Sequence, residues 1–123
     1  MANMPDNIVV KEQWGTVEYA VKRNGNMPAK DFISSLKTEN RKEYLRLVAL
    51  FGLMANDGKI PNPQKFKKLK DEIWEFKSKK YRVLCFQQDN SWILTHGFKK
   101  QDRTKYGGEI RKATEIMKEH LKQ

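Results

Sequence analysis

The chain has 123 residues, a formal net charge of +10, 38% hydrophobic and 33% charged residues, which fits one compact domain over residues 1–123. The longest apolar stretch, nine residues from Leu47 to Ala55, falls well short of the ~20 that a membrane-crossing helix needs. Three Trp, four Tyr and six Phe are more aromatics than a disordered basic chain carries.

The opening MANMPDN shows no leader pattern, and the lone Cys85 cannot close an intramolecular disulfide, so a reducing cytoplasm is the expected compartment. His96 and His120 lie far apart, with no CxxC or HExxH, so neither a metal nor a cofactor is expected.

Residues 8–23 alternate in part, with Val17, Tyr19 and Val21 on one face and Glu18 and Lys22 on the other. This predicts a strand ending at the turn signal Asn24-Gly25. Pro28 suits the first turn of a short helix with Phe32, Ile33 and Leu36 on one face. A second helix begins near Asn40, with Glu43 three positions on, and carries Tyr44, Leu47, Val48, Phe51 and Met54 at helical spacing. Asn56-Asp57-Gly58 ends it, and Pro61 and Pro63 keep it from resuming.

The period then changes. Ile73, Trp74 and Phe76 predict a strand, Ser78 to Lys80 a tight turn, and Tyr81 to Phe86 a central strand. Gln88 to Asn90 is a second turn and Trp92 to Gly97 a further strand. A basic loop from Lys99 to Lys105 leads to a helix after Gly107-Gly108, with Ile110, Ala113, Met117 and Leu121 facing inward. Strand, helix, helix, three strands and helix make an α+β fold, an antiparallel sheet with the helices packed on one face.

Residues 1–61 hold 9 basic and 7 acidic side chains, and residues 62–123 hold 16 and 8, so the halves carry +2 and +8. Such asymmetry points to a polyanion, nucleic acid before an anionic membrane. The turn supplies Lys77, Lys79 and Lys80, the central strand Arg82, and the following loop Lys99, Lys100, Arg103, Lys105 and Tyr106. Arg82 opens an otherwise apolar run, where a charge needs a partner. An ion pair with Glu75 or Glu72 carries as much weight as a phosphate contact. Trp74, Tyr81, Trp92 and Phe98 can stack on bases, but core and sheet pairing are the commoner uses of such residues. Tyr81, between lysines and Arg82, is the one expected to be exposed.

The stretches FKKLKDEIWEFKSKKYRVLCF, ILTHGFKK and GGEIRKATEIMKEH, in that order, resemble the RelE superfamily of toxin–antitoxin toxins, within it the HigB-like, phage-derived branch. GNMPAKDFISSL and ANDGKIP extend the resemblance over most of the chain. It implies the same order of elements. It also implies an mRNA endoribonuclease that works on the translating ribosome, inhibits translation and is neutralised by a cognate antitoxin of helix-turn-helix type.

By position, Arg82 matches the arginine of the family's YR strand. Lys77 stands where the branch usually has arginine, Lys100 matches a basic position after HGF, and Tyr106 lies where some members use a catalytic tyrosine. The sequence departs from the branch at Gln101, which replaces a second lysine, and at Tyr106, where proline is frequent. Glu75 stands where the best-known members are basic.

RNA brings its own nucleophile, the 2′-hydroxyl, so the protein needs only a proton acceptor, a cation for the phosphorane and a proton donor for the leaving oxygen. Arg82 suits the charge. Tyr106 suits the base, if cations such as Lys100, Arg103 and Lys105 favour its phenolate. Lys77 or Lys100 suits the acid. Lys79, Lys80, Lys99, Arg103, Lys105 and His96 are the expected RNA contacts, although a strand histidine beside Phe98 is more often structural. Two other uses of the scaffold stay open: a non-catalytic RNA- or ribosome-binding protein, and a ParE-like inhibitor of a protein target such as a topoisomerase.

Overall fold

In the computed structural model the elements follow as β1 (Ile8–Lys11), β2 (Thr16–Tyr19), α1 (Pro28–Glu39), α2 (Arg41–Asp57), β3 (Phe66–Lys70), β4 (Ile73–Ser78), β5 (Tyr81–Gln88), β6 (Ser91–Lys99) and α3 (Tyr106–Leu121). Residues 6–122 are described; Met1 to Pro5, part of the opening read for a leader, and Gln123 lie outside the described residues. The strands form a six-stranded sheet in the order β1-β2-β6-β5-β4-β3. β2 runs parallel to β6, and every other neighbouring pair is antiparallel. The α+β class expected from the sequence is the class observed.

Alternation along the central strands builds two cores rather than one. Val83 and Cys85 of β5 and Leu94 of β6 face α1 and α2, which cover them with Ile33, Leu36, Leu47, Phe51 and Met54. Leu84, Phe86 and Ile93 point the other way, under Ala113, Ile116 and Met117 of α3. The helices therefore lie on both faces, not one, because a strand apolar at successive positions needs cover on both sides.

Two strands expected as one are separate. The segment read as a single strand over 8–23 reverses at Gly15, so β1 and β2 form a hairpin. The reversal is held by other elements: the amides of Trp14 and Gly15 both donate to the Ala55 carbonyl, at 3.1 and 3.0 Å, and the Thr16 amide donates to that of Asn90 at 3.0 Å. Any Cβ at Gly15 would run into the Asn90 carbonyl. β3 is the second addition. Its lysines mark an edge strand, and a register shift between Lys68 and Lys70 breaks its alternation.

The helix ends follow local chemistry. The Asn40 side chain accepts the Glu43 amide at 3.3 Å, capping α2, and Gly58 ends it at φ 77°, the left-handed region. α3 starts at Tyr106, so Gly107 and Gly108 lie inside its first turn, and its Leu121 is exposed rather than inward-facing.

Candidate functional site

The sheet face under α3 carries the polar cluster. Period-two alternation places Glu75 and Lys77 of β4 on this face, and antiparallel register sets Lys77 opposite Arg82 of β5 and Lys67 of β3 opposite Glu75. Tyr106 joins them from the first turn of α3. Its ring packs edge-on to Phe98 of β6 with centroids 5.8 Å apart. Glu75, Lys77, Arg82, Lys67, Lys100 and Tyr106 line a pocket of about 150 Å³. A wider cleft of about 500 Å³, lined by Lys79, Lys80, Arg82, Lys100, Gln101 and Thr104 among others, adjoins it at Arg82 and Lys100.

Arg82 is only 8% exposed, and Glu75 only 1%. The Arg82 Nε donates to the Tyr106 hydroxyl at 3.1 Å and lies 3.4 Å from the Glu75 Oε1. The Tyr106 hydroxyl in turn donates to that same Oε1 at 2.8 Å. Arg82 Nη1 donates to the carbonyls of Lys79 and Tyr81. No buried side-chain nitrogen or oxygen lacks a partner among the described residues, and Nη2 makes no hydrogen bond among them. Nη2 is therefore reached by solvent, in a side chain that lines both cavities.

Both readings of Arg82 thus meet in one group: it is paired with Glu75, and it lines the cleft. Tyr106 overturns an expectation. Burial, and after it the hydrogen bond to Glu75, push its phenol up to about 12, and Arg82 offsets this only in part. The phenol is held protonated, not converted to phenolate by surrounding cations, because burial and then the Glu75 carboxylate both oppose the charged form. Lys77 moves the other way. Burial, then the charges of Lys67, Arg82 and Lys100, hold its amine below the ordinary lysine value against the pull of Glu75.

The other expected residues divide. Lys100 lies at the mouth of both cavities, its Nζ 6.0 Å from the centre of the Tyr106 ring. Lys79 and Lys80 line the wider cleft. Lys99, opposite Tyr81, turns to the α1 face with its Nζ 5.9 Å from that ring. Arg103 and Lys105 are exposed but line neither cavity.

His96, expected as an RNA contact, is instead buried: it is 2% exposed, with Nε2 2.9 Å from Glu109 Oε1 and Nδ1 3.3 Å from the Thr95 hydroxyl. Burial lowers its pKa, opposed by the Glu109 hydrogen bond. It pins the first turn of α3, and so positions Tyr106. Trp74 and Trp92 pack with Phe66 rather than offering faces to bases; Trp74 stacks on Phe66 at 5.1 Å, and Tyr81 is half-buried. Lys67 went unrecognised because its strand did, and an alternation allowing for a bulge was the signal available.

Among the described residues, no group of three or more His, Cys, Asp or Glu could hold a metal ion, and no helix is long and apolar enough to cross a membrane.

The family model described as phage derived protein Gp49-like (DUF891) matches residues 31–118. The chain belongs to that family, a toxin-like family of the RelE/HigB type. No curated protein matches the chain.

Proposed function

We propose that this member of the Gp49-like family is a ribosome-dependent mRNA endoribonuclease that works in the cytoplasm and is neutralised by a cognate antitoxin. The observation that carries the reading is the hydrogen-bonded Arg82–Tyr106–Glu75 cluster, ringed by Lys67, Lys77 and Lys100. It supplies an acid, a base route and fixed cations in one small pocket.

Tyr106 is protonated, so it works as a relay. It takes the 2′-hydroxyl proton as it passes its own to Glu75 along the 2.8 Å hydrogen bond. The 2′-oxygen then attacks phosphorus, and the charge on the equatorial oxygens meets Arg82 Nη2 and the Lys100 ammonium. Lys77, its proton loosened by burial and by neighbouring cations, protonates the leaving 5′-oxygen. The products are a 2′,3′-cyclic phosphate and a 5′-hydroxyl, and no step calls on a metal. Lys79 and Lys80 hold phosphates along the wider cleft.

Primer-extension mapping of a translated message, with and without the protein, tests this. Cuts bearing 5′-hydroxyl ends are expected, and Tyr106→Phe should slow them by roughly 100-fold or more. A message left uncut by folded wild-type protein would remove the reading. One observation favours a second reading, a non-catalytic ribosome or RNA binder: Nε and Nη1 of Arg82 are already committed within the protein. That reading gains if ribosomes are bound and translation stalls with the message intact.

A further inference from the structure

α2 presents a second surface on the far side of the sheet. One side of the helix is buried on the sheet through Leu47, Leu50, Phe51 and Met54. The outward side carries Leu45, Val48, Ala49, Gly52 and Leu53, spaced by three and four, so they form a continuous apolar ridge. Leu45 is 51% exposed, Leu53 44% and Val48 37%. Gly52 sits in the middle of this ridge, and a Cβ there would meet nothing within 4 Å. A glycine inside a helix weakens it relative to alanine. No neighbour among the described residues uses the room it leaves, and room of that kind lets a second backbone approach closely.

Beside the ridge runs a groove of about 500 Å³, in which Ala49 and Leu50 face Arg46, Lys65, Lys77 and Lys79. No carboxylate lines it. Glu43, the partner of Arg46 at 2.9 Å, is buried beneath and also accepts the Ser78 hydroxyl.

We propose that this ridge and groove dock an acidic amphipathic helix of a partner protein. Its apolar residues lie over Leu45, Ala49 and Leu53, its backbone crosses near Gly52, and its carboxylates reach Lys65 and Lys79. The charge pattern selects this occupant. A phosphate backbone has no use for the apolar ridge. A second copy would bring Arg41, Lys42 and Arg46 against their own kind. Lys79 lines both the groove and the wider cleft. A docked acidic helix therefore occupies a cation that RNA needs.

The inference rests on the neutralised-toxin reading for its purpose, but the two fail separately. Message cutting without docking removes the surface; docking without cutting removes the nuclease.

The test is fluorescence anisotropy with a labelled synthetic helical peptide, leucine on one face and glutamate on both flanks. Binding in the micromolar range is expected. The double variant Leu45→Ser, Leu53→Ser should weaken it about tenfold or more, and a glutamine-for-glutamate peptide should bind comparably weakly. Gly52→Leu should raise the melting temperature yet also weaken the peptide, which separates docking from folding. Affinity for a single-stranded RNA oligomer should not change in the double serine variant.

Absence of peptide binding, or binding indifferent to these substitutions, overturns the proposal. A parallel loss of RNA affinity in the double serine variant overturns it in favour of nucleic acid. Self-association of the wild type in sedimentation that the double variant abolishes overturns it in favour of a second copy.

Discussion

Arg82 and Glu75 are coupled through burial, so removing either changes more than one hydrogen bond. Arg82→Ala strands the Glu75 carboxylate at 1% exposure, and losing one partner of a buried pair costs about 3–5 kcal/mol. A fall in urea-unfolding free energy of that size is expected, and a Glu75→Gln background should recover part of it. Activity measured on Arg82→Ala must therefore be read beside its folded fraction, and Arg82→Lys, which keeps the charge and loses the fork, is the cleaner probe of the cleft. Tyr106 offers a second measurement. Its folded pKa is raised to about 12, so its contribution to stability is whole below the ordinary tyrosine value and is lost as pH rises through the folded one. Alkaline titration by phenolate absorbance should show a component with its midpoint near 12, absent from Tyr106→Phe.

The hairpin between β4 and β5 and the seam between α1 and β6 are where elements constrain the site. Lys79 sits in that hairpin at φ 54°, a left-handed conformation that costs an ordinary side chain about 1–2 kcal/mol. Its carbonyl accepts from Arg82, so the strain aims the guanidinium. Lys79→Asn, a residue at ease in that conformation, should stabilise the fold by roughly 0.5 kcal/mol and weaken RNA binding through the lost cation; thermal melts and filter binding check the two halves. Gly97 of β6 lies directly under the Phe32 ring of α1, and any Cβ would meet that ring. Gly97→Ala should cost about 1–3 kcal/mol by overpacking. In a double-mutant cycle, Phe32→Ala should cost less on the Gly97→Ala background than on the wild type.

Across the whole molecule, two histidines tie α3 to the rest. His96 holds Glu109, and His120 Nδ1 accepts the Val21 amide at 2.9 Å. Burial is the leading cause that lowers both below the ordinary histidine value of 6.5. A lowered folded pKa means stability is whole above 6.5 and is lost as pH falls below it, since the unfolded chain takes up protons first. The melting temperature should decline on acidification through this range, and His96→Gln should flatten the decline. Because the same helix start carries Tyr106, acid should loosen the pocket that Tyr106 lines with Arg82 and Glu75 along with the fold. The two helical layers leave different surfaces: α3 closes over a polar, cationic face, whereas α2 turns an apolar ridge outward.

Much of this was legible in local chemistry. Asn40 and Gly58 bound α2 because a cap and a left-handed stop act on their own backbone, and the apolar run from Val83 to Phe86 marks a central strand wherever it lies. Concentration of positive charge in the second half likewise pointed to the segments that bring Lys77, Arg82 and Lys100 together. Other features belong to residues far apart in sequence. The reversal at Gly15 is dictated by carbonyls of Ala55 and Asn90, and β3 is a strand because Phe66 stacks on Trp74 and its backbone pairs with β4. α3 crosses to the opposite face because Leu84, Phe86 and Ile93 need cover there. Periodicity tells which side of an element is apolar but not what will cover it. A side chain's protonation depends on neighbours, so only the fold could set Tyr106 against Glu75 and seal His96 away from solvent.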